Sequence, residues 1–137
     1  MTDKVDIHKA GGIIIRDRQL LLTRSKGKDF FVAPGGKLEN GEMPLQALIR
    51  ELAEELSITV NEEDLREFGE FRAVAAGSKD KTLQMDVYVV DKWRGEITPS
   101  NEIEEVRWVT SQTDDIEIGS IFRLDVRPKL VEANLID

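Results

Sequence analysis

Apolar and polar positions change period three times along this chain. Residues 9–16 contain Ala10-Gly11-Gly12-Ile13-Ile14-Ile15, apolar at successive positions, which predicts a buried strand. A second short strand is expected over 19–23, after an Asp17-Arg18 turn. A third extended piece is expected over 30–33, stopped by Pro34-Gly35-Gly36. Between them, 25–29 is basic and polar and reads as a loop. From Pro44 the period becomes helical. Leu45, Leu48, Ile49, Leu52 and Leu56 fall at i, i+3, i+4, i+7 and i+11, one apolar stripe. Pro44 suits the first helical position, whose N–H has no partner within the helix. Met43 before it offers no side-chain oxygen for a cap.

The strand period returns in two long segments, 65–76 and 82–92. The polar Gly77-Ser78-Lys79-Asp80-Lys81 joins them, so a hairpin is predicted. In the second, Leu83, Met85, Val87 and Val89 alternate with Gln84, Asp86 and Tyr88. Trp93-Arg94-Gly95 turns the chain, and 106–109 is a short strand. Residues 127–135 read as a closing helix with Leu130, Val131 and Leu135 inward. Strands, a central helix, more strands and a final helix predict an α/β fold, a mixed sheet with helices on its faces. The 137 residues suit one domain spanning 1–137, and no repeat, low-complexity tract or linker divides them.

Charge and composition narrow the partners. Asp and Glu number 27 against 19 Lys and Arg, a formal charge of −8. That argues against polymeric nucleic acid and anionic membrane surfaces. It also means that an anionic substrate needs something to neutralise the repulsion. The absence of cysteine removes disulfides, thiol nucleophiles and Cys-based metal sites. A single histidine, His8, removes His-cluster metal sites and reads as an ordinary surface or hydrogen-bonded residue. No apolar run approaches the roughly 18 residues that span a membrane. The first residues lack the basic-then-apolar order of a signal peptide, so a cytoplasmic location is expected by elimination. Monomer and homodimer both remain open.

The chemistry gathers on the predicted helix. In Arg50-Glu51-Leu52-Ala53-Glu54-Glu55, the three glutamates point into one sector, away from the leucine stripe. Like charges three and four residues apart destabilise a helix by roughly 0.2–0.5 kcal/mol per pair. The pattern makes sense if a hard cation sits among them, because Mg²⁺ and Mn²⁺ favour oxygen ligands. A solvated acidic face is the other reading. Upstream lies Gly35-Gly36-Lys37-Leu38-Glu39-Asn40-Gly41-Glu42. Its glycines let backbone groups approach a phosphate or metal, and Lys37 offers a point charge for phosphate.

Together these residues spell Gly36-x5-Glu42-x7-Arg50-Glu51-Leu52-x-Glu54-Glu55-x-Ser57-Ile58. This resembles the signature box of the Nudix hydrolase superfamily at every position but one. Ser57 stands where that family has glycine. A glycine there usually takes the left-handed conformation, which costs serine about 1 kcal/mol. Met43 likewise stands where a Ser or Thr cap is frequent, so both helix ends are expected to be less well capped than usual.

The resemblance implies an α/β/α sandwich with a mixed sheet, a catalytic loop-helix-loop and a C-terminal helix. It implies hydrolysis of a diphosphate bond in a nucleoside diphosphate linked to another group, with Mg²⁺ or Mn²⁺. Carried over by motif position, Glu51, Glu54 and Glu55 are metal ligands, and any of them is a candidate base. The Gly35 carbonyl is a further candidate ligand. Arg50 and Glu42 resemble an ion pair holding the glycine loop, with Gly36, against the helix. Relatives often use one more carboxylate before the penultimate strand; Glu102 matches best here, with Glu105 second. Lys37 and Arg24 are candidate phosphate contacts, with Lys26 and Lys28 beside them. Phe31, or Phe30, is a candidate wall of a base pocket, while Trp93 and Trp108 read as packing or as a base stack. The leading substrate is a (d)NTP or an oxidised dNTP. ADP-ribose, a dinucleotide polyphosphate or a nucleotide sugar is the alternative, and a non-catalytic nucleotide-binding regulatory domain a second one. The triphosphate branch reads an oxidised base partly through a late asparagine. None occurs at 122–129, and Asn134 lies further on, so the base stays open.

Overall fold

The chain places three groups of strands between two helical layers. A computed structural model describes residues 5–75 and 78–137. The elements are β1 (Ile7–Ile13), β2 (Ile15–Arg16), β3 (Gln19–Ser25), β4 (Phe30–Phe31), β5 (Gly35–Lys37), α1 (Pro44–Leu56), β6 (Leu65–Ala75), β7 (Ser78–Val90), β8 (Ile103–Val109), β9 (Glu117–Ile118) and α2 (Arg127–Glu132). One sheet runs β5-β1-β7-β6 and is mixed, because β1 lies parallel to β7 and the other pairs are antiparallel. A second, antiparallel sheet runs β2-β3-β8, and β4 pairs with β9 in parallel.

Strand alternation divides the apolar residues between two cores. Leu20 and Leu22 turn into one, with Met85, Val87, Val89, Phe122, Val126 and Leu130. Leu21 turns into the other, with Leu48, Leu52, Leu56, Tyr88 and Val90. The leucine stripe of α1 therefore covers one face of the mixed sheet, and the C-terminal helix covers the other. Among the described residues no helix is long and apolar enough to cross a membrane.

Three local expectations change. The extended piece at 30–33 does end before Pro34-Gly35-Gly36, but the segment Gly35-Gly36-Lys37 is not left as a turn. It forms the edge strand β5, with Lys9 opposite Lys37, Ala10 opposite Gly36 and Gly11 opposite Gly35. Small residues on both strands allow that pairing, which outweighs the turn preference of a Gly-Gly pair. Ser78 to Lys81 belong to β7 rather than to the connection, and Ala76 and Gly77 lie outside the described residues. The C-terminal helix begins early, with a π-type segment at Phe122–Val126. Phe122, Val126 and Leu130, four apart, are buried, while Val131 and Leu135 are exposed rather than inward. One residue of helix rotates a side chain by roughly 100°, which carries Val131 off the buried face.

Both ends of α1 find tertiary or reciprocal partners. Gln46 Oε1 accepts the Met43 N–H at 3.0 Å, the half of a capping box that needs no oxygen on Met43. Ser57 takes the left-handed conformation, with φ 61° and ψ 29°. The last carbonyls accept from the loop that follows Thr98: Thr98 N–H bonds Leu56 O and Ser100 N–H bonds Glu55 O, each at 2.9 Å. Ser100 Oγ also donates to Glu54 O. These bonds fasten that loop to the carboxylate end of the helix.

Candidate active site

The ladder between β1 and β5 sets which backbone groups face α1. Gly12 N–H donates to Pro34 O at 2.9 Å, and Leu38 N–H donates to His8 O at 3.1 Å. In an antiparallel pair the intervening Gly35 and Lys37 then turn their backbone groups outward. Gly35 N–H donates to Glu55 Oε1 at 3.0 Å, and the Lys37 carbonyl accepts from Arg50 Nη2 at 3.1 Å. A Cβ on Gly36 would stand 2.7 Å from the Glu51 carboxyl. Gly35 has φ +140°, and a Cβ there would drive into the Ala10 carbonyl oxygen. Glycine at 36 thus lets the Glu51 carboxylate lie against the strand, and glycine at 35 lets β5 close onto β1.

A cleft of about 450 Å³ opens at this edge, lined by Glu51, Glu55, Glu102, Arg50, Lys37 and Lys9, with Gly35 and Gly36 beside them. Glu102 arrives through the fastened loop. Ile103 N–H closes a turn onto Ser100 O at 3.1 Å, and the Glu102 carbonyl accepts from Lys26 N–H at 2.8 Å. Burial is the main cause that raises the Glu55 carboxyl to about 8. The neighbouring Glu51, Glu102 and Glu54 push the same way, and the Gly35 N–H opposes them. Glu51 is also raised, by burial first, against the pull of Arg50.

Arg50 joins the loop to the helix. Its Nε donates to Glu42 Oε2 at 2.9 Å and its Nη2 to Glu42 Oε1 at 3.0 Å, a bidentate fork. Its Nη1 donates to Glu51 Oε1 at 2.7 Å. The Glu42 carboxyl is pushed down to about 2, mainly by the Arg50 hydrogen bonds.

The structure gathers Glu51, Glu55, Glu102, Lys37, Gly35, Gly36 and Arg50 around one cleft. Glu54 is not among the lining residues; it is half exposed, with Oε2 3.4 Å from Arg50 Nη1. Other sequence candidates lie elsewhere. Thr23 and Ser25 line the cleft, so the period of β3 turns Arg24 to the opposite face. There its Nε donates to Glu105 at 3.2 Å and its Nη1 to Lys28 O at 3.0 Å, which also takes Glu105 out of the site. Phe31 is buried in the core with Phe122, Val126 and Leu130, while its neighbour Val32 lines the cleft. Phe30 pairs with Glu117 in the β4–β9 ladder. Asn134 Oδ1 accepts from Arg18 Nη2 at 2.7 Å, away from the cleft. Trp93 and Trp108 pack against the α1 core, and the Arg16 guanidinium lies 4.3 Å over Trp108. His8 Nε2 bonds Asp86 Oδ2 at 2.6 Å.

Lys9 is a cleft residue that the pattern along the chain did not single out. Its signal was a charged side chain heading an otherwise apolar strand run, where a lysine is seldom placed without a reason.

The NUDIX domain family model matches residues 6–113. The chain belongs to that family and is a Nudix hydrolase. It is 36% identical over 106 residues to the 8-oxo-dGTP diphosphatase of Proteus vulgaris, a match covering 72% of this chain and 88% of that protein. It is 37% identical over 118 residues to the 8-oxo-dGTP diphosphatase of Haemophilus influenzae, covering 82% of each. The crystal structure of a MutT NUDIX hydrolase from Burkholderia pseudomallei shares the fold, with a TM-score of 0.73, 21% identity and coverage of 92% and 95%. The solution structure of the E. coli ORF135 protein shares it too, at 0.73 and 23%, covering 93% and 91%.

Proposed function

We propose that this chain hydrolyses a diphosphate bond in a (d)NTP or an oxidised dNTP, releasing the monophosphate and pyrophosphate, with Mg²⁺ or Mn²⁺. One observation carries the reading: Glu51, Glu55 and Glu102 share a cleft with exposed glycine backbone and two lysines. The names of the curated relatives support a triphosphate as substrate.

The donor set fits a hard cation. It is all oxygen, and Glu51 and Glu55, raised first by burial and further by the acids beside them, are carboxyls whose charged form a cation would stabilise. Glu51, Glu54, Glu55, Glu102 and the Gly35 carbonyl would hold it. Among the described residues no three carboxylates stand together as a metal-binding group, and Glu51 is turned onto Arg50 Nη1. When bound, a divalent ion polarises phosphoryl oxygens and lowers the pKa of its water.

The chain's own residues do the rest. Lys37 binds a phosphate. One of Glu51, Glu54 and Glu55 takes the proton of the attacking water. Arg50 and Glu42 hold the loop against α1. The test is a Mg²⁺-dependent hydrolysis panel of ordinary and oxidised dNTPs, ADP-ribose, dinucleotide polyphosphates and nucleotide sugars, with products separated by anion exchange. A dNTP cut to monophosphate plus pyrophosphate is the expected result. Preferred cleavage of ADP-ribose or a nucleotide sugar overturns the substrate.

A further inference from the structure

β1 carries into the cleft a charged side chain that the proposed reaction leaves unused. Lys9 lies opposite Lys37 across the β1–β5 ladder. The flanking bonds from Gly12 to Pro34 and from Leu38 to His8 make this a non-hydrogen-bonded pair, the position where opposed side chains stand closest. Like charges directly opposite one another repel. Lys9 is also half-buried. Burial pushes its ammonium below the ordinary lysine range and Lys37 pushes the same way, while Glu55 and Glu51 pull against them without pairing with it. Among the described residues no carboxylate pairs with it. Glu51 is engaged by Arg50, and Glu55 by the Gly35 N–H. Two cations held side by side, neither in ion-pair contact with a carboxylate among the described residues, are an arrangement that an anionic ligand completes.

We propose that Lys9 and Lys37 form a two-lysine clamp on the substrate's phosphate chain, with Lys9 favouring a triphosphate over a diphosphate joined to a neutral group. This rests on the reading of the cleft as a diphosphate-bond hydrolase. The lysines sit on neighbouring strands about 4.8 Å apart, a spacing over which successive phosphates of one chain can each take one. A terminal phosphate adds negative charge to a cleft that already holds three carboxylates. Lys9 offsets that repulsion. A diphosphate linked to a sugar ends in a neutral group and needs it less.

The experiment is a calorimetric titration of inorganic tripolyphosphate into wild-type, Lys9→Gln, Lys9→Met and Lys9→Arg proteins. It is paired with kcat and KM for a dNTP and for ADP-ribose. Lys9→Gln and Lys9→Met should weaken tripolyphosphate binding about tenfold and raise KM for the dNTP more than they lower kcat. Lys9→Arg should restore most of the affinity, and ADP-ribose kinetics should change less. Unchanged tripolyphosphate affinity in both neutral variants overturns the clamp, as does an equal loss for both nucleotides or a wild-type protein that binds no tripolyphosphate. If the wild type hydrolyses no triphosphate, the proposed reaction fails while the titration still reads the clamp. Two neutral variants with melting temperatures near wild type separate loss of the contact from loss of the fold.

Discussion

Glu42 and Glu55 sit at opposite ends of one motif, carry the same side chain and end in opposite states. Glu42 lies in the fork of Arg50 and is held down to about 2. Asp91 and Asp115 are lowered in the same way, by Arg66 and Arg107. Glu55 is buried beside Glu51 and Glu102 and is pushed up to about 8. An arginine fork stabilises the charged form, whereas burial among other acids disfavours it. With 27 acidic residues in the chain, abundance identifies no site. The distinguishing feature is an acid buried beside other acids.

The largest effect expected from breaking this contrast is on turnover. Glu54→Gln and Glu55→Gln should each abolish hydrolysis while the circular dichroism spectrum is kept. A variant keeping more than about a tenth of the wild-type rate would remove that residue from the metal set. Glu55→Gln should also raise the metal-free melting temperature, because it deletes a charge that the fold disfavours.

Gly36→Ala sharpens the contrast by moving Glu51 without deleting it. The new Cβ would lie 2.7 Å from the Glu51 carboxyl, the free end of a flexible side chain. The side chain should swing aside at little cost in stability, while kcat falls about tenfold. An unchanged kcat would show that Glu51 need not lie against the strand.

The two acids should also pull stability in opposite directions with pH. The Glu55 carboxyl is raised from 4.5 to about 8, so between these values the folded state holds a proton that the unfolded state has released. Its contribution makes the metal-free protein less stable as pH rises through that window. Glu42 is lowered from 4.5 to about 2, so its stabilisation is present above 4.5 and is lost as pH falls toward 2. Urea unfolding in chelator across pH 5–8 should follow the first trend, and added Mg²⁺ should flatten it by binding only the folded protein. If Glu55→Gln leaves the profile unchanged, the pH dependence arises from some other group.

The smallest effect belongs to the helix end. Ser57→Gly relieves a left-handed serine and should stabilise the protein by about 1 kcal/mol in calorimetry. No gain would mean that the bonds from Thr98 and Ser100 already absorb the strain.

What was legible in the sequence depended on neighbours a few positions away. The leucine stripe and Pro44 marked α1, the box spacing marked Glu51, Glu54 and Glu55, and the motif position marked Ser57 as the stand-in for glycine. The helical period places those glutamates in one sector wherever the helix docks. The rest turned on partners far along the chain. Pro34-Gly35-Gly36 reads locally as a stop and does end the piece before it, yet Gly35–Lys37 becomes a strand because β1 lies beside it. Arg24 and Phe31 have suitable chemistry but face away from the cleft, and a strand's facing is settled by what it pairs with. Glu102 and Glu105 are nearly equivalent in sequence. They part because Glu102 follows closely on Thr98 and Ser100, which tie the loop to α1, while Glu105 meets Arg24 across β3 and β8. Lys9 entered the site only when β5 was laid against β1. A helix carries its own hydrogen bonds and so announces its faces in its period. A strand finds its ladder bonds only on other strands, and its face, partners and chemistry come with them.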